Sequence, residues 1–235
     1  MNFLAPAGAC ARLVVLAVFA LHASAAETPA QPAATQAAKP GKFEKEIAAF
    51  EAADKLKAPA QGGLLFTGAS SIRMWSSLPQ DFPGKTILNR GFGGSEIADS
   101  TRDFDRFILP CHPKTIYFRA GGNDLAHGKS VEQTFADFKD LAAAVEAKLP
   151  GCDLVYVSLS PSPARWSQAD KEKALNTLIA DFVKGKPHLR SIDTYDMVLG
   201  PDGKPRVELF IPDQLHFNAA GYKLLAEKIR PDVER

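Results

Sequence analysis

Two adjacent serines, Ser70 and Ser71 in LLFTGASSIRMW, and an Asp and a His three positions apart, Asp213 and His216 in PDQLH, are types suited to covalent chemistry. On a tight turn the D-x-x-H spacing lets the carboxylate reach one ring nitrogen and leaves the other free. A general base needs that arrangement, because the acid fixes the tautomer and stabilises the imidazolium. Taken alone, the pair is equally a surface aspartate and a histidine near a helix cap at Asn218. Ser70 follows an apolar run that stops at Gly68. It reads either as a helix cap or as a nucleophile held at the end of a strand. Gly94 in GFGGS and Asn123 in GGND suit a third task. Glycine lets backbone N–H groups come close, and an amide side chain can share a developing oxyanion with them. Each of these motifs alone is also an ordinary turn.

The elements around these residues decide whether they meet. FEKEIAAFEAADKL carries Phe43, Ile47 and Phe50 at helical spacing, and SVEQTFADFKDLAAAVEAKL opens with a Ser130–Gln133 capping-box pattern. Val131, Phe135, Phe138, Ala142, Val145 and Leu149 form the core stripe of that helix. SEIADSTRDFDRFIL reads as one helix with Ser95 as a possible N-cap, and SQADKEKALNTLIADFV and NAAGYKLLAEKI as two more. GLLFTG, KTILNRG, TIYFRAG, DLVYVSLSP and LRSIDTYD read as strands between them. Strand and helix alternate, which predicts an α/β fold with a mostly parallel sheet and helices on both faces. Ligands in such sheets lie beyond the carboxyl ends of the strands. Ser70, GFGGS, GGND, SPSPARW and PDQLH all fall there, and one cleft can gather them.

The first residues belong to a different task. Arg12, the apolar run LVVLAVFALHA and the small residues of ASAAE read as a secretory signal peptide over residues 1–25, cleaved after Ala25 or Ala26. The run is short for a bilayer span, so no stable membrane anchor is expected. The protein reads as exported, periplasmic or extracellular. Residues 26–42, rich in Ala, Pro, Thr and Gln, read as a disordered linker, and residues 43–235 as one folded domain. The formal net charge is +1, with no basic block, which argues against a nucleic-acid partner. No C-x-x-C or H-E-x-x-H pattern offers a metal site, and no cofactor is expected.

Together, G-x-S, a glycine-rich turn, G-x-N-D and a late D-x-x-H resemble the SGNH hydrolases, the GDSL-like lipases and esterases. The resemblance runs from Phe43 to the end of the chain, and the flank FTGASSIRMW is similar to a branch with G-S-S-S in place of G-D-S. It implies a flavodoxin-like three-layer α/β/α sandwich with a five-stranded parallel sheet in the order 2-1-3-4-5. It also implies a Ser70–His216–Asp213 triad, and an oxyanion hole from the N–H groups of Ser70 and Gly94 with the Asn123 side chain. Ala69 and Ser95 stand where other branches carry acids.

The expected reaction is hydrolysis of a carboxylic ester through an acyl-enzyme. The substrate is a small-molecule, lipid or acylated-glycan ester. Arg73, Trp75, Arg119, His127, Arg165 and Trp166 fall near the expected cleft edge. Among them Trp75, Arg119 and Trp166 are candidates for substrate contact, with Trp166 either a wall for the substrate or a lid packed on a neighbouring helix. Two other readings stand beside this one. One is an exported glycan- or ligand-binding protein that keeps the fold without turnover. The other is a flavin or phosphate binder, which leaves the Asp213–His216 pair unexplained. Cys111 and Cys152 each precede a strand, and export predicts a disulfide between them at the amino edge of the sheet.

Overall fold

Five short apolar runs pair as parallel strands in the order β2-β1-β3-β4-β5. They are β1 Leu64–Gly68, β2 Ile87–Gly91, β3 Thr115–Arg119, β4 Asp153–Val157 and β5 Leu189–Ile192. The computed structural model describes residues 41–235. The segment read as a signal peptide, and the linker up to residue 40, lie outside the described residues. Gly68 of β1 is level with Gly91 of β2 and with Arg119 of β3. The neighbouring strands β2, β1 and β3 therefore end together, and the loops leaving them start side by side. This order is the one the resemblance implied.

Side-chain alternation along the strands builds two cores. Leu65, Ile116, Phe118, Leu154 and Tyr156 face one side. Phe66, Tyr117, Val155 and Val157 face the other. The first face is covered by α1 (Glu44–Leu56), α4 (Ile97–Arg102), α5 (Phe104–Phe107), α7 (Val131–Lys148) and α8 (Ala169–Val183). The second is covered by α2 (Ser70–Arg73), α3 (Leu78–Asp81) and α9 (Ala219–Val233). A further short helix, α6 (Gly122–Ala126), follows β3. In α7 the capping box forms as its sequence requires: the Gln133 N–H donates to Ser130 Oγ at 3.1 Å, and Gln133 Oε1 accepts from the Ser130 N–H at 2.8 Å. Phe138, Ala142, Val145 and Leu149 of its stripe are buried, with Val131 and Phe135 packed at the margin.

Three expectations are corrected. The helix after the glycine turn starts one residue later, with Glu96 and Asp99 forming its capping box, while the Ser95 hydroxyl donates to Phe92 O at 2.9 Å. It also breaks at Asp103, whose ψ of 13° separates α4 from α5. Asp is a weak helix former at such a point, because its short polar side chain competes with the helical backbone. The disulfide does not form: Cys111 and Cys152 are free, buried thiols. Cys111 sits in a 3₁₀ turn, donates to Phe107 O at 3.3 Å and lies beside Arg90 of β2. His112 then turns the chain with a left-handed backbone (φ 37°) before β3 begins. Cys152 lies instead against the backbone of Ile116 in β3, and burial pushes its thiol up to about 12. The left-handed turn at His112 thus gives Cys111 a different place from the strand entry that the spacing assumed.

Candidate active site

Gly68 shows why the first strand must end on glycine. Its φ is +124°, and a Cβ there would meet the Arg119 carbonyl oxygen at 2.1 Å. The chain can then turn at once into α2, with the Ala69 N–H donating to Arg119 O at 3.0 Å. This places Ser70 at the first position of α2, beyond the carboxyl edge of β1.

The last loop brings the base to it. Asp213 Oδ1 accepts from the N–H groups of Leu215 and His216 at 2.9 and 3.0 Å, closing a tight turn in which Gln214 adopts φ 56°. Asp213 Oδ2 lies 2.6 Å from His216 Nδ1, and His216 Nε2 lies 2.8 Å from Ser70 Oγ. Burial opposes ionisation of Asp213, but the His216 ring and the two backbone donors override it and hold the carboxyl down at about 2. A charged Asp213 fixes the proton on Nδ1 and leaves Nε2 as the acceptor facing the serine hydroxyl.

The oxyanion candidates meet on the adjoining side. Gly94 has φ +79° in the turn after β2, a conformation that favours glycine. Asn123, at the start of α6, donates from Nδ2 to Ser95 O at 2.9 Å and accepts on Oδ1 from Arg165 at 3.1 Å. The arginine thereby fixes which end of the amide presents N–H, and one amide hydrogen stays unclaimed. Among the described residues the N–H groups of Ser70 and Gly94 donate to no protein acceptor. Ser70, Gly94, Asn123 and His216 share the lining of one open groove, together with Arg73 and Arg165.

A smaller chamber shares Ser70, Asn123, Arg165, Leu215 and His216 with that groove. It encloses about 80 Å³, and its walls include Arg119, Asn123, Ser160, Arg165, Glu172 and His216. Arg119 is therefore at the site. Trp75 is not: it is 1% exposed, stacks on Tyr222 and donates from its indole to Asp81. Its apolar neighbours in the core claim it, which the sequence position beside Ser70 could not indicate. Trp166 is 40% exposed, lies in the 3₁₀ segment before α8 and lines neither cavity. His127 pairs with Glu96 away from both. His127 also follows Asp124 at the same spacing as Asp213 and His216, yet Asp124 turns inward to Ile97. Spacing alone therefore does not mark the pair; the turn does. Glu172 was not singled out from the sequence, since it sits in an ordinary helical run and only burial distinguishes it.

The comparisons with known proteins agree with this architecture. The family model described as the GDSL-like Lipase/Acylhydrolase family matches residues 60–224. No curated protein matches the chain. Among solved structures, a protein from Streptococcus pneumonia provisionally described as a platelet activating factor is similar with a TM-score of 0.73 at 19% identity, over 81% of this chain and 92% of that one. A GDSL-like lipase from Bacteroides thetaiotaomicron gives 0.66 at 21% identity, over 81% and 96%. A catalytic mutant of an acetylxylan esterase from Geobacillus stearothermophilus gives 0.59 at 11% identity, over 75% and 96%. At these identities the structural likeness concerns the fold. The family match spans the run from β1 into the first turns of α9, so the chain belongs to the GDSL-like lipase/acylhydrolase family.

Proposed function

We propose that this protein is an exported serine esterase in which Ser70 attacks the ester carbonyl. His216 Nε2 takes the hydroxyl proton as the Oγ–carbon bond forms, and Asp213 stabilises the resulting imidazolium. The negative charge on the former carbonyl oxygen falls among the N–H groups of Ser70 and Gly94 and the free amide hydrogen of Asn123. Collapse of the tetrahedral intermediate expels the alcohol, which takes the proton from His216. Water then attacks the acyl-enzyme with His216 again as base, and Ser70 is regenerated. The observation that carries this reading is the continuous hydrogen-bonded chain from Ser70 to His216 to Asp213, at 2.8 and 2.6 Å.

The cavity next to Ser70 bears on the substrate. It is small, about 80 Å³, and sets the charged and hydroxyl groups of Arg119, Arg165, Glu172, Ser160 and Ser162 among the apolar side chains of Leu159, Phe210, Leu215 and Phe217. A long apolar acyl chain would strip water from those groups without replacing their hydrogen bonds. The reading is therefore a short acyl group on a polar alcohol, such as an acylated glycan, rather than a long-chain lipid. Export rests on the sequence of residues 1–25.

Hydrolysis of a panel of short-chain, long-chain and sugar acetate esters tests the activity. Ser70→Ala abolishes it, whereas Ser71→Ala retains most of it, and a serine-reactive phosphonate labels the peptide at Ser70. Labelling at Ser71, or a panel with no turnover, removes the reading. Export is tested separately: protein recovered outside the cytoplasm should begin just after Ala25 or Ala26.

A further inference from the structure

Arg119 ends β3 and is 4% exposed, yet it lines the chamber beside Ser70. Its guanidinium donates to Thr194 Oγ1 at 3.0 Å and to Ser160 Oγ at 3.2 Å, and lies over the Phe217 ring at 5.8 Å. All three partners are neutral. Among the described residues no carboxylate comes within ion-pair distance of it. Arg165, on the same wall, likewise has no ion pair among the described residues and donates to the Asn123 amide. One acid shares the chamber, Glu172, also 4% exposed. Its Oε1 accepts from Gln168 at 2.9 Å, and its Oε2 is buried with no partner.

A buried cation without a counter-ion is costly, because hydroxyl groups replace only part of its hydration. Holding Thr194 and Ser160 in place needs no charge; a neutral donor would do it. The cost is offset when an anion enters. A guanidinium presents its donors in a plane that matches a carboxylate. The orphaned Glu172 oxygen adds a second polar point on the same wall. Burial drives the Glu172 carboxyl up to about 7, so a large share of it is neutral at neutral pH and able to donate.

We propose that the chamber is a subsite for a carboxylate carried by the substrate a few bonds from the scissile ester, received by Arg119. The carboxylate belongs either to the acyl group, as in a half-ester of a dicarboxylic acid, or to the alcohol, as in the acetyl ester of a hydroxy acid. The proposal deepens the esterase reading and rests on it for its kinetic test alone.

Two matched pairs separate the sources. The first is 4-nitrophenyl hydrogen succinate against 4-nitrophenyl succinamate. The second is O-acetylglycolate against O-acetylglycolamide. In one pair the anionic member is expected to show a kcat/KM about tenfold or more higher, the size of one charge-assisted hydrogen bond. Arg119→Met should level that pair by lowering the anionic member far more than the amide member, and Arg119→Lys should keep part of the preference. Equal rates within both pairs for the unaltered protein overturn the proposal. A binding measurement needs no Arg119 variant: methyl hydrogen succinate and O-acetylglycolate are titrated into Ser70→Ala at millimolar concentration. Binding of neither also overturns it, even where ester hydrolysis is established. Binding without any hydrolysis by the unaltered protein leaves the subsite standing and removes the esterase reading.

Discussion

Both carboxylate oxygens of Asp124 accept from a single backbone N–H, that of Ile97, at 3.2 and 3.3 Å. Ile97 is the first residue of α4, directly after the glycine turn, and Asn123 beside Asp124 holds Ser95 O. GGND thus ties down the turn that carries Gly94, in addition to presenting its own amide. Asp124 is fully buried, and burial pushes it up to about 6 against the pull of Lys129 and the Ile97 N–H. Asp124→Ala leaves the Ile97 N–H without its acceptor, at a cost of about 1–3 kcal/mol in stability. Turnover should fall as the Gly94 turn loosens. Asp124→Asn restores an acceptor and should recover much of both losses. Thermal melting and turnover of 4-nitrophenyl acetate check this; an Asp124→Ala variant of full activity would sever the link to Gly94.

Asn123 and Arg165 act on the same amide from opposite ends. Asn123→Ala removes one oxyanion donor and is expected to lower kcat by about 100- to 1,000-fold while the protein still folds. Arg165→Met leaves the donor but frees the amide to rotate, so its loss should be smaller, about tenfold. The order of the two effects on a neutral acetate ester is the measurement. Equal losses would mean that Arg165 contributes directly to the charge, and no loss in either would make Asn123 purely structural.

Much of this arrangement was legible because local chemistry dictated it. Gly68 must be glycine to pass the Arg119 carbonyl, and that close approach sits where the apolar run of β1 stops. Ser130 and Gln133 announce α7 because both halves of the cap lie within one turn. A parallel sheet follows once strands alternate with helices, and its strand order is what the family resemblance implied. What stayed hidden depends on contacts between residues distant in sequence. Trp75 is five residues from Ser70, yet Phe66, Phe82 and Tyr222 draw it into the core. Cys111 and Cys152 precede adjacent strands, yet a 3₁₀ turn and a left-handed residue separate them. Arg119 and Glu172 carry no motif; their lack of ion partners is visible only after folding.

The pH dependence of turnover should carry one acid limb. Asp213, held at about 2, stays charged through any practical assay range. A proton on His216 Nε2 removes the acceptor for the serine hydroxyl, so the rate rises with pH on the acid side. Asp213→Asn removes the charge at every pH and should lower kcat by roughly 10²- to 10⁴-fold, the upper figure being that of the serine-protease template. Single-turnover rates across the pH range, which exclude product release, test this. A flat profile would exclude a histidine base.

Glu172 gives a stability signature independent of any substrate. Burial raises its carboxyl from 4.5 to about 7, while the Gln168 hydrogen bond and the charges of Arg119 and Arg165 pull the other way. The folded state therefore binds the proton more tightly than the unfolded chain does. The penalty of the buried charge is absent below 4.5, grows as pH rises, and is fully present above about 7. A rise from 4.5 to about 7 corresponds to roughly 3 kcal/mol. Glu172→Gln copies the neutral form, keeps an oxygen for Gln168 and carries no charge at any pH. Relative to the unaltered protein, it should gain stability between pH 4.5 and 8, by an amount of that order. Denaturant midpoints at the two pH values provide the measurement. A difference that stays constant with pH would show that Arg119 neutralises Glu172 directly, and would leave the chamber without an uncompensated cation.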